Sequence, residues 1–253
     1  MKKPALSLSH SAFTLVELSI VLVILGLLVG GVLSGRSLIR ASEIRSIISE
    51  QNTYVTAVHH FKDKYVSLPG DMPTATQFWG LQAATCFNSV PAINSISTCN
   101  GDGDGKIIFS PVPNFYENWY FWHHLENADL ITRRRTDVYT RNPKSKVSDF
   151  FWGFYDFGTR DGAKGIMAGN YNNSFELNST TPDGYAFTPP ELWGMDTKMD
   201  DGKPATGNVV ARGDQISFDI DKCIDTNDTT NLAANYLLSS SDKGCAIIFR
   251  QQF

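Results

Sequence analysis

The chain has 253 residues, 42% hydrophobic and 19% charged, and a formal net charge of −4. Lys2 and Lys3 stand at the extreme N-terminus, so the remainder is more acidic still. That balance gives no support to bulk nucleic-acid binding, which shows a basic surface. With a leader and one long helix set aside, about 190 residues remain, enough for one well-cored domain.

Residues 1–12, MKKPALSLSHSA, are positively charged and mostly polar. Residues 13–33, FTLVELSIVLVILGLLVGGVL, then form an almost unbroken apolar run. At a rise of about 1.5 Å per residue, a helix of that length spans roughly 30 Å, the thickness of a hydrocarbon core. The N-terminus is therefore expected in a membrane. Glu17 is the one charge in the run. A charge at the bilayer centre costs at least about 2.5 kcal/mol, so an ionisable group there reads first as functional. Snorkelling to the interface near the helix end is the alternative. An ordinary secretory signal carries its small-residue cleavage site behind the apolar run, whereas Ala12 stands in front of it. Cleavage there leaves the helix on the mature protein.

The stretch AFTLVELSIVLVILG resembles the N-terminal signature of type IV prepilins and type II secretion pseudopilins. In that family a membrane peptidase cuts between a small residue, usually Gly, and a Phe, then methylates the new N-terminus. The resemblance implies a cut between Ala12 and Phe13, N-methylation of Phe13, and Glu17 fifth in the mature chain. Ala12 replaces the usual Gly, and Ser34 stands where many type IV pilins carry a kinking proline; Gly26 matches a glycine often found in this helix. A carboxylate in lipid is tolerable if it meets a cation, and the amine of a neighbouring subunit is a suitable one.

The implied fold is α+β and pilin-like: a long N-terminal helix, membrane-spanning in its first half, packed on a C-terminal globular domain containing antiparallel β-structure. The expected divisions are a leader over 1–12, a helix over 13–65 with 13–33 transmembrane, and a periplasmic domain over 66–253. By the same resemblance the chain is a single-pass protein of a bacterial inner membrane. It would serve as a minor pilin or pseudopilin of a type IV pilus or type II secretion pseudopilus. The implied partners are other pilin or pseudopilin subunits, the prepilin peptidase, the inner-membrane assembly platform and inner-membrane lipid. The alternative is a tip-located binding subunit recognising a secreted substrate, a surface or DNA.

Beyond residue 33, Leu38, Ala41, Ile44, Ile48, Val55, Val58, Phe61 and Tyr65 recur at helical spacing, while Arg40, Glu43, Arg45, Glu50 and Lys62 lie mainly off that stripe. One helix is predicted from about residue 13 to about residue 64. Pro69 and Pro73 in LPGDMPTATQFWG end it. The LPGDMP phrase resembles a recurring feature of larger prepilin-like proteins. A short helical turn is predicted near residues 75–81, with Trp79 as a core anchor.

Cys86, Cys99, Cys223 and Cys245 fall into two sequence-local pairs, 86 with 99 and 223 with 245. In an exported domain these read as two disulfides, although four cysteines permit three connectivities. Neither pair has CxxC spacing, which argues against zinc.

After Cys99, NGDGDGKI places Asn100, Asp102 and Asp104 at alternate positions with Gly105 and Ile107 following, the opening of a calcium loop. The twelfth loop position is Pro111 where a bidentate Glu belongs, and Glu117 is the candidate to complete the shell. The bland alternative is an Asx and Gly turn. Residues 116–131 read as an amphipathic helix carrying Trp119, Trp122, Leu125 and Leu130. Adjacent histidines, His59 with His60 and His123 with His124, point about 100° apart on a helix and do not chelate one metal; a partly exposed structural role is expected. Arg133, Arg134 and Arg135 read as a solvated run at the helix end.

Residues 147–177 are aromatic and β-branched with Gly and Asn breaks, the pattern of strands and turns. Thr188 followed by two prolines signals a helix that stops by Gly202. Asp196, Asp200 and Asp201 form a second acidic group, an alternative calcium site by resemblance to calcium-stabilised pseudopilins. Residues 209–212, 216–220 and 246–249 read as final strands. No GxSxG, HExxH or phosphate-binding loop is present, so no enzymatic activity is expected and calcium is the only cofactor in view.

Overall fold

The computed structural model describes residues 14–81, 96–110, 115–132, 142–147, 150–160, 165–179, 185–213, 219–251 and 253. In chain order the elements are α1 (Leu15–Tyr65), α2 (Ala75–Trp79), β1 (Phe109–Ser110), β2 (Phe115–Tyr116), α3 (Glu117–Asn127), β3 (Phe150–Tyr155), β4 (Thr159–Arg160), β5 (Gly169–Asn170), β6 (Ser174–Ser179), α4 (Pro189–Met199), β7 (Val209–Arg212) and β8 (Ala246–Phe249). The chain is α+β, with the long N-terminal helix and antiparallel C-terminal sheet expected of a pilin-like fold. Two compact units divide at Glu43 and Ile44, within α1.

In the first unit α1 is long and apolar enough to cross a membrane. Its leucines, valines and isoleucines from Leu15 to Leu33 are exposed among the described residues. The helix opens with Thr14-Leu-Val-Glu17: the Glu17 backbone N–H donates to Thr14 Oγ1 at 3.2 Å, and the Thr14 backbone N–H donates to Glu17 Oε2 at 2.9 Å. Two otherwise orphaned amides at the helix start are thus satisfied reciprocally.

The second unit is built on a four-stranded antiparallel sheet in the order β3-β6-β8-β7. Alternation along the strands sends Trp152, Phe154, Phe175, Leu177, Ile247 and Phe249 to one face. The C-terminal half of α1 lies against that face: the Tyr54 ring is 5.6 Å from Trp152 and 6.3 Å from Phe175. α3 joins the same core through Trp122, 4.9 Å from Tyr54, and Phe121, stacked on Phe154 at 4.0 Å. Each such fully buried large side chain contributes about 1.5–3 kcal/mol over an exposed one. On the opposite face Val210 and Ile248 are equally buried, and Glu176 pairs with Arg212 beside them. Both faces of the sheet are therefore covered.

The buried stripe of α1 differs from the expected one. Ile47, Glu50, Gln51, Tyr54, Ala57, Val58 and Phe61 are buried; Ile44, Ile48, Val55 and Tyr65 are only partly so, and Leu38 and Ala41 are exposed. The face is rotated because it includes Glu50, a charge the hydrophobic pattern assigned to solvent. Its carboxylate accepts from Ser145 Oγ at 2.7 Å, Lys146 N at 2.7 Å and Trp152 Nε1 at 2.9 Å. A buried charge is tolerable when hydrogen-bonded this fully.

α4 follows the sequence signal closely: Thr188 makes a capping box with Glu191, and a proline occupies the first turn. Cys223 and Cys245 are bonded, with Cα atoms 4.9 Å apart and 22 residues between them in sequence. The bond anchors the polar loop before β8 and stabilises the fold by about 3 kcal/mol through loop entropy. Cys99 is also disulfide-bonded; Cys86 lies outside the described residues, as do Ala12, Phe13 and Arg133, Arg134 and Arg135. Residue 216 is outside them too, and residues 219–220 are not strand.

Candidate functional site

Two features carry the functional expectations: the start of α1, and acidic side chains gathered where loops meet helices. At the first, Glu17 sits in the opening turn of α1, two residues past its start. Its position is thus toward the end of the apolar stretch and not the middle of it. Besides the capping bonds it accepts a hydrogen bond from Thr14 Oγ1 at 2.7 Å. The T-x-x-E signal was readable in the sequence but lay inside an apolar run, where the charge drew attention and the cap did not.

The second feature is a knot between the LPGDMP turn, the NGDGDG loop and α3. Gly70 has φ +86 and approaches α3 so closely that a Cβ would lie 2.5 Å from the Glu117 carbonyl oxygen; only glycine fits such a position. A Cβ on Gly101 would overlap the Asp71 backbone. Asp71 is buried, and its carboxylate accepts from the backbone N–H groups of Gly103 at 2.6 Å, Asp104 at 3.1 Å and Gly105 at 2.9 Å. Glu117 accepts from Asp102 N at 3.3 Å and Ile108 N at 3.2 Å. The loop therefore turns amides, not side-chain oxygens, toward its hollow, and an internal carboxylate fills it.

Of the expected calcium ligands, Asp102 and Glu117 come together, joined by Asp71 from the LPGDMP turn; one carboxylate oxygen of each lies within 4.8 Å of the others. Asn100 instead accepts from Thr76 N at 2.9 Å, and Asp104 from Lys106 N at 2.8 Å. Ile107 is fully buried, as a plug should be. Burial, with the charges of Asp102 and Asp71 assisting, pushes the Glu117 pKa up to about 8, against the two backbone hydrogen bonds. Asp71 is raised too, burial again leading. Asp71 was missed because a lone Asp in a proline turn reads as turn chemistry.

His123 and His124 are completely buried, not partly exposed. His124 Nδ1 accepts from Gly70 N at 2.9 Å, while Nε2 lies 3.2 Å from the Cys99 carbonyl, so the proton sits on Nε2. Burial lowers its pKa to about 3, with His123 adding to the effect, and the ring is neutral. It ties the LPGDMP turn to the segment of Cys99. His59 and His60 are exposed on α1. Trp79 is partly buried against Phe61, Tyr65 and His124.

The other acidic group forms at the end of α4, where Asp196, Asp200 and Asp201 also place carboxylate oxygens within 4.8 Å of one another. Asp196 is fully buried and accepts from Tyr236 Oη at 2.8 Å and Gly202 N at 3.1 Å. Burial, with Asp201 and Asp200 adding repulsion, raises its pKa to about 7. Asp200 accepts from Asn208 N and Val209 N, and Asp201 from Lys203 N and Thr206 Oγ1.

Oxygens around one calcium ion at about 2.4 Å lie no more than about 4.8 Å apart. By that measure both triads fit a hard cation, and the raised pKa values mark carboxylates whose ionised form is disfavoured by burial and crowding, a penalty such an ion would relieve. No protein-family model, curated protein or solved structure matches this chain.

Proposed function

We propose that this chain is a structural subunit, a minor pilin or pseudopilin, of a type IV pilus or type II secretion pseudopilus. The observation that carries the reading is α1 itself. It is one helix of 51 residues whose apolar first half is exposed among the described residues and whose second half is built into the core of a globular unit. Such a helix is suited to two environments, lipid before assembly and the helices of other subunits afterwards. Processing between Ala12 and Phe13, N-methylation of Phe13, single-pass insertion in the inner membrane and a periplasmic domain belong to the same reading. So do the prepilin peptidase and the assembly platform as partners.

The aromatic side chains favour this over the tip-binding alternative. Among the described residues, Phe78 at 58% and Trp193 at 43% are the large exposed aromatics; most of the others pack on one another. Structural calcium also belongs to the proposal, held by Asp71, Asp102 and Glu117 or by Asp196, Asp200 and Asp201. The ion would supply charge neutralisation and a tie between loop and helix, and no chemistry beyond that.

The test separates the two roles available to Glu17. Glu17→Gln retains an oxygen to accept from the Thr14 amide and removes the charge, whereas Glu17→Val removes both. If pairing with a neighbouring amine drives assembly, both variants insert normally and both fail to enter filaments. Normal incorporation of Glu17→Val would end the pairing argument, and failure of the valine variant alone would leave only the cap.

A further inference from the structure

Three stretches of the chain carry the pattern Asn-x-Ser/Thr without a proline between: Asn172 with Ser174, Asn178 with Thr180, and Asn227 with Thr229. That pattern is the acceptor for N-glycosylation and belongs on a surface loop of an exported domain. Attachment needs two groups within reach of an enzyme: the Asn side-chain amide, which takes the glycan, and the hydroxyl two residues on, which helps to position it. Bacterial transferases of this kind also read an acid two residues ahead of the Asn. Glu176 and Asp225 hold that place for Asn178 and Asn227; Asn172 has Asn170 there.

The fold separates the three. Asn172 is exposed, but Ser174 is completely buried in β6. Asn178 lies within β6 opposite Phe151 of β3, and its acid, Glu176, is buried against Arg212. Asn227 is exposed in the loop between Cys223 and Cys245, and its side-chain amide makes no hydrogen bond among the described residues. Thr226 Oγ1 accepts from Asp228 N at 3.0 Å, a tight turn with Asn227 at its centre. Asp225 is exposed too and held at the foot of that turn by Asn235, whose backbone and side-chain N–H groups donate to its carboxylate oxygens at 2.9 and 3.1 Å. Thr229 is half-buried, and its backbone carbonyl accepts from Ala168 N at 2.8 Å. Acid, amide and hydroxyl thus follow one another on a single turn at the surface, with the Cys223–Cys245 bond at its base.

We propose that Asn227 is an N-glycosylation acceptor, modified by a transferase that draws on a lipid-diphosphate-linked oligosaccharide. The Asn227 side-chain nitrogen attacks C1 of the first sugar, and the new C–N bond replaces the C1–O bond to phosphate. The lipid diphosphate leaves with the electron pair of that bond, and the amide gives up one proton to a base of the transferase. No oxidant or reductant enters. In the cell the modification rests on the exported domain proposed above, because donor and transferase meet their substrate on that side of the membrane.

The experiment uses the purified full chain in detergent micelles, a purified single-subunit bacterial oligosaccharyltransferase and its lipid-linked donor. Intact mass should rise by one glycan, and peptide mapping should place it on Asn227. Asn227→Gln and Thr229→Val should each abolish the gain. Asp225→Asn keeps an oxygen for Asn235 N, removes the charge, and should lower the modified fraction. Thermal unfolding of the three variants checks that they fold. No gain in mass on the wild type, a glycan mapped to Asn172 or Asn178, or equal modification of wild type and folded Asn227→Gln each overturns the proposal. So does modification of a peptide of residues 222–232 but not of the folded chain, because the turn would then withhold the amide. Purified components need no export, so failure here counts against the acceptor and not against the membrane reading.

Discussion

The buried acid at the start of α3 makes stability depend on pH in a direction opposite to that of an ordinary salt-bridged carboxylate. Glu117 is 1% exposed, and its pKa stands at about 8 where 4.5 is ordinary. Between those values the folded chain holds a proton that the unfolded chain has released. This stabilisation is fully present below about pH 4.5 and is lost as pH rises through about 8, at about 1.4 kcal/mol per pH unit. Over the whole window the loss is at most roughly 4–5 kcal/mol, and Asp71, raised in the same direction, adds to the slope. For a domain of this size each kcal/mol corresponds to about 2–4 °C in Tm, so warming from pH 5 to pH 8 in chelator should show a fall of order 10 °C. Near-UV circular dichroism of the full chain in detergent, reporting on the aromatic core, is the assay. Glu117→Gln cannot ionise and should flatten most of that slope, even if its stability at pH 5 is lower. Added calcium should flatten the wild-type slope in the same way if the triad takes the ion. Equal slopes for wild type and Glu117→Gln would refute the argument from burial.

Other consequences can be measured on the same preparation. Gly70→Ala forces a Cβ against the backbone of α3 at a left-handed φ, and should cost more than about 1 kcal/mol in thermal unfolding, where Gly26→Ala, open on all sides, should cost nothing. Glu50→Ala leaves the Trp152 indole N–H without its acceptor in the core and should destabilise by about 3 kcal/mol or more, whereas Glu50→Gln should recover part of the loss. Reduction of the Cys223–Cys245 bond should lower stability by about 2–4 kcal/mol. Asp196→Asn should remove the fall in stability that its own titration contributes as pH rises through about 7, provided no cation is present.

The parts of this molecule that sequence reading recovered are those where one local signal decides the outcome. The apolar run, the Thr188 cap with its prolines, the strands of β7 and β8 and the pairing of Cys223 with Cys245 are of that kind. What it missed depends on long-range partners. Glu50 was assigned to solvent because a charge breaks a hydrophobic stripe, yet Trp152, about a hundred residues away, supplies the donor that lets it sit in the core. His124, expected to be a partly exposed structural residue, is buried because Gly70 and Cys99 meet its two ring nitrogens. In both cases a polar side chain is buried because its partners are themselves buried.

The acidic loop shows the same limit from the other side. NGDGDG has the composition of a cation loop, and composition cannot say which way the chain faces. Here the amides face inward onto Asp71, while the side chain of Asn100 accepts from the α2 amide of Thr76 and that of Asp104 from the Lys106 amide of its own loop. Asp71 thus fills within the chain the place an ion takes in a calcium loop, but with reversed sign: a carboxylate surrounded by donors. Asp71 also shares its surroundings with the carboxylates of Asp102 and Glu117. A cation there would bridge LPGDMP to α3 across the loop, so its effect should appear as cooperativity between those two segments. Hydrogen exchange at Gly103 and Gly105, slowed by calcium in the wild type and not in Glu117→Gln, would distinguish that bridge from a loop that folds the same way without it.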